Sequence, residues 1–425
     1  MIFFIFLFLL LVFLFTFIFC FLFIFYFFIL FLTNNRNSLF FYSMKESKLF
    51  LNEKSDSMTE KIIETNGAET ITKTKTITLM CCLPDLASVN IKDRLLELEE
   101  WTKAKTPPIE KMNEALLKYP LSSSVLYTED KGKEMTNLFT EVHELRKGNV
   151  LFQMFFIAGR TIFQDYLDKR LEFLGYKSDL IVFLSKHKSQ SETKAFTAHM
   201  SGNYANADYG GLSNSLCTPA PLEMKKLLLV MDRLNIEENL GYDVTFEVTH
   251  HGPTELDIPS LFVEIGSTEK EWIDPIPGAI VAKAVLSLAE FGETDASKNS
   301  DNERISKEAE LLQNNTVAVA FGGGHYGDRQ TISIFRTKLA FGHMFPKYQL
   351  ETITEEVILK AFQRTGANLA FFDKKSMRGP DRRRVTEILE KNNIPILNDR
   401  ESVTEFGVGF NLREKENEAD DEKNE

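Results

Sequence analysis

The 425-residue sequence predicts an α/β fold of two domains, with largely parallel sheets flanked by helices. Short, continuous apolar runs at 179–184 and 316–321 are typical of strands that are buried on both faces of a sheet. Helical patterns separate these runs, and this alternation favours parallel strands joined by helices. A domain usually has about 150 residues, so the length is sufficient for two.

The first predicted strand begins at Thr76 and ends at Leu83, before Pro84. Ser88 is the predicted cap of a helix that continues to Glu100. Residues 148–157 form a dense apolar segment. The other predicted strands are 124–127, 179–184, 244–248, 261–263, 316–321, 369–373 and 394–397, and the other predicted helices are 224–234, 279–289 and 382–391. These elements define a two-lobed α/β region at 76–412, interrupted by a polar surface insertion at 293–315.

The N-terminal residues 1–32 are almost wholly Phe, Leu and Ile and carry no charge. As a helix, this run would exceed the ~30 Å hydrocarbon core of a membrane, which indicates a transmembrane or signal-anchor segment. Basic residues follow the run, so the chain is expected to be cytoplasmic, tethered to a membrane with its folded region facing the cytosol. The alternative is a mis-annotated start, with translation beginning at Met44 or Met58. Residues 33–75 are polar and are predicted to be a linker.

The charge and the cysteines exclude several classes of protein. The net charge of −12 excludes a generally basic nucleic-acid-binding surface, although it permits one basic patch. Residues 413–425 are rich in acidic side chains, which predicts a disordered tail. Four cysteines without a C-x-x-C pair indicate neither a disulfide framework nor a zinc finger.

The histidines cluster beside predicted strand ends and turns. In the strand at 244–248, apolar and polar side chains alternate, which predicts one buried face, and His250-His251 follow directly. The next apolar run, 261–263, leads into Glu264 and Gly266-Ser267. Because ligand crevices in α/β sheets lie outside the carboxyl ends of strands, we expect the chemistry at this edge.

Two further histidines follow predicted turns or strands. His187 comes after the buried run 179–184, and His199 lies twelve residues later. The glycine loop, Gly322–Gly324, precedes His325. Glycines allow the backbone to approach a ligand, and their N–H groups could bind an anion or oxyanion.

These residue types are compatible with two mechanisms. Neutral imidazoles with Glu264 can bind Zn²⁺ and leave a position for water. Alternatively, a histidine acts as general base while amides of the glycine loop stabilise the oxyanion. Neither H-E-x-x-H nor G-x-S-x-G occurs, so the spacing leaves both mechanisms open.

Six stretches, taken in order, resemble the D-aminoacyl-tRNA deacylases of the archaeal and plant type. They are residues 185–191 (SKHKSQS), 197–203, 249–254 (THHGPT), 262–268 (FVEIGST), 321–326 (FGGGHY) and 340–348 (AFGHMFPKY). Asp373-Lys374-Lys375-Ser376 and its following helix match more weakly. The resemblance extends over roughly residues 76–397.

The resemblance implies hydrolysis of the ester between a D-amino acid and the tRNA 3′ end, which removes mischarged tRNA and recycles it. It also implies a zinc requirement and a two-domain, phosphorylase-like or hydrolase-like α/β fold. On this basis the expected zinc ligands are His187, His199, His251 and Glu264, and the expected catalytic residues are His250, Thr254, Ser267 and His325.

A tRNA substrate requires cations for its phosphates. The most basic window of the chain supplies the predicted tRNA contacts, namely Lys374, Lys375, Arg378, Arg382, Arg383 and Arg384. Its alternative interpretation is a solvated helix face. Two other functions are kept open: another zinc-dependent hydrolase of the peptidase or amidase kind, in which the window would be incidental, and a non-catalytic tRNA-binding protein, in which the histidines would bind no metal.

Overall fold

The computed structural model describes residues 74–122, 138–290 and 303–413. The predicted membrane segment, nearly all of the linker and of the acidic tail, and the predicted strand at 124–127 lie outside these residues. Among the residues that are described, no helix combines the length and apolarity needed to cross a membrane.

Strands and helices alternate along the chain. The described strands are β1 (Lys75–Cys82), β2 (Thr102–Ala104), β3 (Phe139–Lys147), β4 (Val150–Ile157), β5 (Leu180–Lys186), β6 (Ala195–His199), β7 (Gly202–Asn203), β8 (Ser215–Leu216), β9 (Asp243–Phe246), β10 (Ser260–Gly266), β11 (Thr316–Phe321), β12 (Leu339–Phe345), β13 (Ala370–Phe372) and β14 (Ile396–Asn398). The described helices are α1 (Leu86–Leu98), α2 (Ile109–Lys118), α3 (Leu167–Phe173), α4 (Pro221–Glu237), α5 (Glu269–Ile273), α6 (Pro275–Leu286), α7 (Glu303–Leu311), α8 (Asp328–Ile334), α9 (Glu355–Thr365), α10 (Gly379–Lys391) and α11 (Asp399–Phe406).

The larger sheet holds eight of the described strands in the order β2-β3-β4-β1-β5-β10-β6-β9. Its central strands β4, β1, β5 and β10 are parallel, whereas β6 runs antiparallel to β10. Strands β1 and β5 are buried almost throughout, as their continuous apolar runs predict. Helix α1 packs on β5 and against α6, so one face of the sheet is covered by helices.

The smaller sheet has the order β12-β11-β13-β14 among the described strands, and all its neighbours are parallel. Its core includes Phe321, Phe345 and Phe372. Both sheets belong to one compact unit, Thr72–Glu425. The predicted α/β class, with largely parallel sheets flanked by helices, is confirmed.

The segment around β9 differs from its prediction. The alternation of apolar and polar residues predicts one exposed face, yet Thr245, Glu247 and Thr249 are all buried. Helix α8 packs over this segment, and the Phe246 N–H donates to Thr331 Oγ1 at 3.0 Å. The prediction of an exposed face is therefore wrong, because segments distant in sequence cover it. Helix α8 covers Thr245, whereas His187 and His325 pack against Glu247. Thr249 contacts His343 of β12.

Two local predictions also change. The cap of α1 is Asp85, whose carboxylate accepts a hydrogen bond from Ser88 N at 3.1 Å. Ser88 lies within the helix, and its hydroxyl accepts from Cys82 N at 2.9 Å. The described part of the predicted surface insertion contains helix α7, in which Glu308 and Leu311 are buried, so this part packs on the fold.

Candidate active site

Four neighbouring strands of the larger sheet position the imidazoles and carboxylates of the site. His187 directly follows β5, and Glu264 lies in the adjacent strand β10. His199 ends β6, and Glu247 follows β9, the next strand across the sheet. All four side chains are buried. They form what we call the His/Glu cluster, together with His250, His251 and His325.

His187 is held on several sides. Its backbone carbonyl accepts from Trp272 Nε1 at 3.0 Å, and its Nε2 lies 2.8 Å from the Tyr326 hydroxyl. Its ring packs against Gly266, where an added Cβ would come within 2.8 Å of His187 Cδ2. Glycine in the sequence Glu-Ile-Gly-Ser-Thr is therefore required by close packing on the histidine.

The glycine loop brings His325 to the cluster from the end of β11. Gly322 and Gly323 have φ values of 97° and 87°, which side-chain-bearing residues rarely adopt. Val248 N donates to His325 O at 3.0 Å, which ties the loop to the segment after β9. The His325 side chain is 42% exposed, so it marks the open edge of the cluster.

Two amides of this loop are already used within the fold. Gly322 N donates to Phe345 O at 2.9 Å, and Gly323 N donates to Ser376 Oγ at 2.6 Å. These two N–H groups therefore cannot serve an oxyanion without breaking those bonds. The loop positions His325 and does not present a row of free donors.

Glu247 is the central carboxylate of the cluster. Its Oε1 lies 3.0 Å from His187 Nδ1, and its Oε2 lies 3.1 Å from His325 Nε2 and 3.8 Å from His250 Nε2. Sequence reasoning missed this residue because the alternation around β9 placed it on the exposed face. Its position three residues before His250 is the signal that could have identified it.

Glu264 holds the other side of the cluster. Its Oε2 lies 3.6 Å from His187 Nδ1, and its Oε1 lies 3.7 Å from His199 Nε2. The rings of His199, His250 and His251 are in mutual contact, with centroids 4.0 to 4.8 Å apart. The structure therefore brings together five of the predicted histidines and Glu264.

The charges in the cluster divide the histidines into two kinds. Burial alone would lower the pKa of His187, but the carboxylates of Glu247 and Glu264 raise it to about 11. Burial and the neighbouring His199 lower the pKa of His251 to about 4, and the pKa of His250 is also far below its ordinary value. At pH 7, His250 and His251 are thus neutral, the form that binds metal.

Several buried polar atoms in the cluster lack a well-aligned hydrogen bond among the described residues. They are both carboxylate oxygens of Glu247 and Nε2 of His199. His187 and His325 each have a ring nitrogen within 3.1 Å of Glu247, but neither contact has hydrogen-bond alignment. Buried polar groups normally find a partner, so these atoms fit the chemistry of a metal site.

The potential ligand atoms converge in three overlapping groups, each within 4.8 Å. They are His199 with His250 and His251, His187 with Glu247 and His325, and His199 with Glu247 and Glu264. Imidazole nitrogens and carboxylate oxygens are the ligands that Zn²⁺ accepts in proteins. The predicted ligands His187, His199, His251 and Glu264 are distributed over these groups.

The two predicted catalytic hydroxyls form hydrogen bonds outside the cluster. Thr254 Oγ1 accepts from Leu212 N at 2.9 Å and donates to Asp165 Oδ1 at 3.3 Å. Ser267 Oγ donates to Thr193 O at 2.6 Å. Both hydroxyls therefore stabilise loops, and their catalytic role stays a prediction.

The basic window begins beside the glycine loop, because Ser376 contacts Gly323 N. Several of its cations are engaged inside the protein. Arg378 pairs with Glu351 and with Asp381, each at 2.7 Å. Arg384 donates to the carbonyls of Leu350 and Ile353, and Arg382 donates to Lys374 O at 3.3 Å. Lys374, Lys375 and Arg383 are exposed.

Comparison with known proteins places this geometry in a family. Residues 174–397 match the family model described as D-aminoacyl-tRNA deacylase. The D-aminoacyl-tRNA deacylase of Methanosarcina acetivorans is 41% identical over 332 residues, which cover 78% of this chain and 95% of that protein. The protein of the same name from Pyrococcus horikoshii is 35% identical over 270 residues, covering 63% of this chain and 90% of that protein.

A solved structure extends the comparison to the fold. The crystal structure of a conserved protein of unknown function is 29% identical to this chain, with a TM-score of 0.61. It aligns with 79% of this chain and with its own full length. Because the family model matches more than half of the chain and the relatives share over 30% identity, the chain belongs to the D-aminoacyl-tRNA deacylase family.

Proposed function

We propose that the chain hydrolyses the ester between a D-amino acid and the 3′ end of tRNA, and so recycles mischarged tRNA. Membership of the family supports this activity. The observation that carries it is the His/Glu cluster, a buried set of imidazoles and carboxylates whose open edge is His325. An aminoacyl ester is activated, so its hydrolysis needs a positioned water and stabilisation of the oxyanion.

The cluster is also the proposed zinc site. Two observations support Zn²⁺ rather than a cation that prefers only oxygen ligands. Buried atoms of Glu247 and His199 lack a hydrogen-bond partner among the described residues, and imidazole nitrogens converge with carboxylate oxygens in the groups of ligand atoms. A bound Zn²⁺ would polarise the ester carbonyl and lower the pKa of water to ~7. Glu247 belongs to two of the three groups, so we add it to the predicted ligands.

The chain's own residues supply the remaining functions. His325 is the most exposed member of the cluster and lies 3.1 Å from Glu247, so its ring can carry a proton between water and the leaving ribose oxygen. Tyr326 lies 2.8 Å from His187 Nε2 and orients that ring. Burial of Glu247 and Glu264 excludes water from the rear of the site.

The decisive experiment is a deacylation assay with D-tyrosyl-tRNA and L-tyrosyl-tRNA in parallel. We expect hydrolysis of the D-ester only, loss of activity after chelation, and recovery on addition of Zn²⁺. Full activity after exhaustive chelation, with no metal detected, would reject the zinc proposal and leave histidine-assisted attack by water. Tight tRNA binding without turnover of either ester would favour the non-catalytic alternative.

We also propose that residues 1–32, where present, tether the enzyme to a membrane. Their uncharged Phe, Leu and Ile composition supports this, and they lie outside the described residues. The full-length protein should sediment with membranes and resist alkaline extraction. An intact mass corresponding to a start near Met44, found entirely in the soluble fraction, would contradict the tether.

A further inference from the structure

Two tyrosines at the site are exposed although their rings are apolar. Tyr348 is 59% exposed and Tyr209 is 69% exposed. The other large apolar side chains that are exposed, among the residues the structure describes, are aliphatic. We propose that Tyr348 and Tyr209 stack on bases of the single-stranded 3′ end of tRNA, an inference that rests on the proposed function.

Tyr348 lies beside the glycine loop and close to the His/Glu cluster. It follows β12, and the N–H of the preceding residue, Lys347, donates to Gly323 O at 3.0 Å. Partial burial and the nearby carboxylate of Glu247 raise the pKa of Tyr348 above its ordinary value, so the phenol is neutral at pH 7. A neutral aromatic ring therefore lies beside the glycine loop, near the reaction centre.

Tyr209 lies beside the turn that follows His250 and His251. Gly252 N donates to Tyr209 O at 3.0 Å, which ties the tyrosine to the residue after His251. Gly210 follows with a φ of 76°, and an added Cβ there would come within 2.0 Å of Ile162 O. The loop that carries Tyr209 is thus packed tightly, and binding would order little of it.

The chemistry of the substrate matches these positions. The ester is attached to the ribose of the terminal nucleotide, so the bases of the last few nucleotides must lie beside the cluster during hydrolysis. Unpaired bases stack readily on tyrosine, and each stack changes affinity by on the order of 10-fold. The exposed cations Lys347 and Lys375 flank the same glycine loop, which favours RNA over an uncharged protein surface.

Binding of deacylated tRNA tests the proposal without requiring hydrolysis. Two probes are compared, an intact tRNA and the same tRNA lacking its last three nucleotides. Tyr348→Ala and Tyr209→Ala should each weaken binding of the intact tRNA by on the order of 10-fold and leave binding of the trimmed tRNA unchanged. The ring-preserving variants Tyr348→Phe and Tyr209→Phe should bind as the wild type does.

Leu117→Ala is the matched control, because this apolar side chain is 86% exposed and lies in α2. Equal losses of affinity for both tRNA probes, or no loss in either alanine variant, would overturn the stacking role. A loss of affinity in only one alanine variant would show that only that tyrosine stacks on a base, and would overturn the stacking role of the other. If wild type fails to hydrolyse D-tyrosyl-tRNA, the proposed function fails separately, since these affinities do not depend on turnover.

Discussion

Glu247 shows how strongly the site depends on single charges. Burial of this carboxylate would raise its pKa, but the neighbouring His187 and His325 hold the pKa well below its ordinary value. The side chain is charged at pH 7, fully buried and central to two of the three possible ligand groups. A metal that binds Glu247 together with His187 must displace the proton of His187, so its affinity should fall as the pH is lowered.

Replacing Glu247 by Gln preserves the shape of the side chain but removes its charge. We expect Glu247→Gln to lower zinc affinity at least 10-fold, since even residues that only orient ligands have effects of this size. Competition with a zinc-binding dye measures the affinity directly. Glu308→Gln is the matched control, a buried carboxylate in helix α7. Unchanged zinc affinity in Glu247→Gln would remove this residue from the ligand set.

At the scale of an element, the segment 250–255 is positioned by one buried carboxylate. Asp165 Oδ1 accepts from Thr254 N at 2.7 Å and from Glu255 N at 2.9 Å. Asp165→Ala leaves the buried amide of Thr254 and the partly buried amide of Glu255 without their partner, and should reduce the free energy of unfolding by about 2–4 kcal/mol. Asp165→Asn retains an acceptor oxygen and should be destabilised less. Urea unfolding of the three proteins measures the order, and equal destabilisation of both variants would contradict this role.

Helix α7 gives a prediction for pH dependence. The carboxylate of Glu308 in this helix lies 3.1 Å from Nε of Arg233, which belongs to the neighbouring helix α4. It also lies 3.8 Å from Nε of Arg304, which belongs to α7 itself. Burial raises the pKa of Glu308 to about 7, because desolvation outweighs the two arginines. Between the unfolded pKa and about 7, the folded state keeps a proton that the unfolded state has released. This carboxyl therefore stabilises the fold at low pH, and its contribution disappears as the pH rises through 7.

Glu308→Gln should remove that dependence. The quantity to compare is the unfolding free energy of the variant minus that of the wild type. This difference should be about 2–3 kcal/mol larger at pH 7.5 than at pH 4.5. Urea unfolding of both proteins at these two pH values gives the comparison, and other titrating groups cancel because both proteins contain them. A difference between the two proteins that stays constant with pH would show that Glu308 titrates normally.

For the whole molecule, the net charge of −12 opposes RNA at long range, so tRNA binding must depend on local cations. The basic window supplies fewer of them than its sequence predicts, because Arg378 and Arg384 are engaged within the protein. The exposed Lys375 and Arg383 remain as the better phosphate contacts.

The double variant Lys375→Ala/Arg383→Ala should weaken tRNA binding. The slope of the logarithm of the binding constant against the logarithm of salt concentration should also become shallower, by roughly one unit for each phosphate that is no longer neutralised. Affinity measured over a series of salt concentrations gives this slope. Arg378→Ala should change it less, since Glu351 and Asp381 already neutralise that charge. An unchanged slope in the double variant would show that the basic window does not contact phosphates and is only a solvated helix face.

Local sequence was enough to identify many elements and the residue types of the site. The apolar runs of β1, β5 and β11 predicted buried strands because hydrophobic burial on both faces leaves a continuous run. The histidines and Glu264 were identified because glycine, proline and strand ends mark where side chains can converge. Six motifs in order indicated the family.

Only the tertiary structure decided which of these groups meet and which are used elsewhere. Glu247 is buried because His187 and His325, from segments distant in sequence, pack against it, and periodicity along one strand cannot report such partners. Arg384 and the Gly322 and Gly323 amides satisfy carbonyl or hydroxyl groups of neighbouring segments, so they are less available to substrate than their residue types suggest. Burial and hydrogen-bond partners are long-range properties, and they emerge only when the two sheets pack.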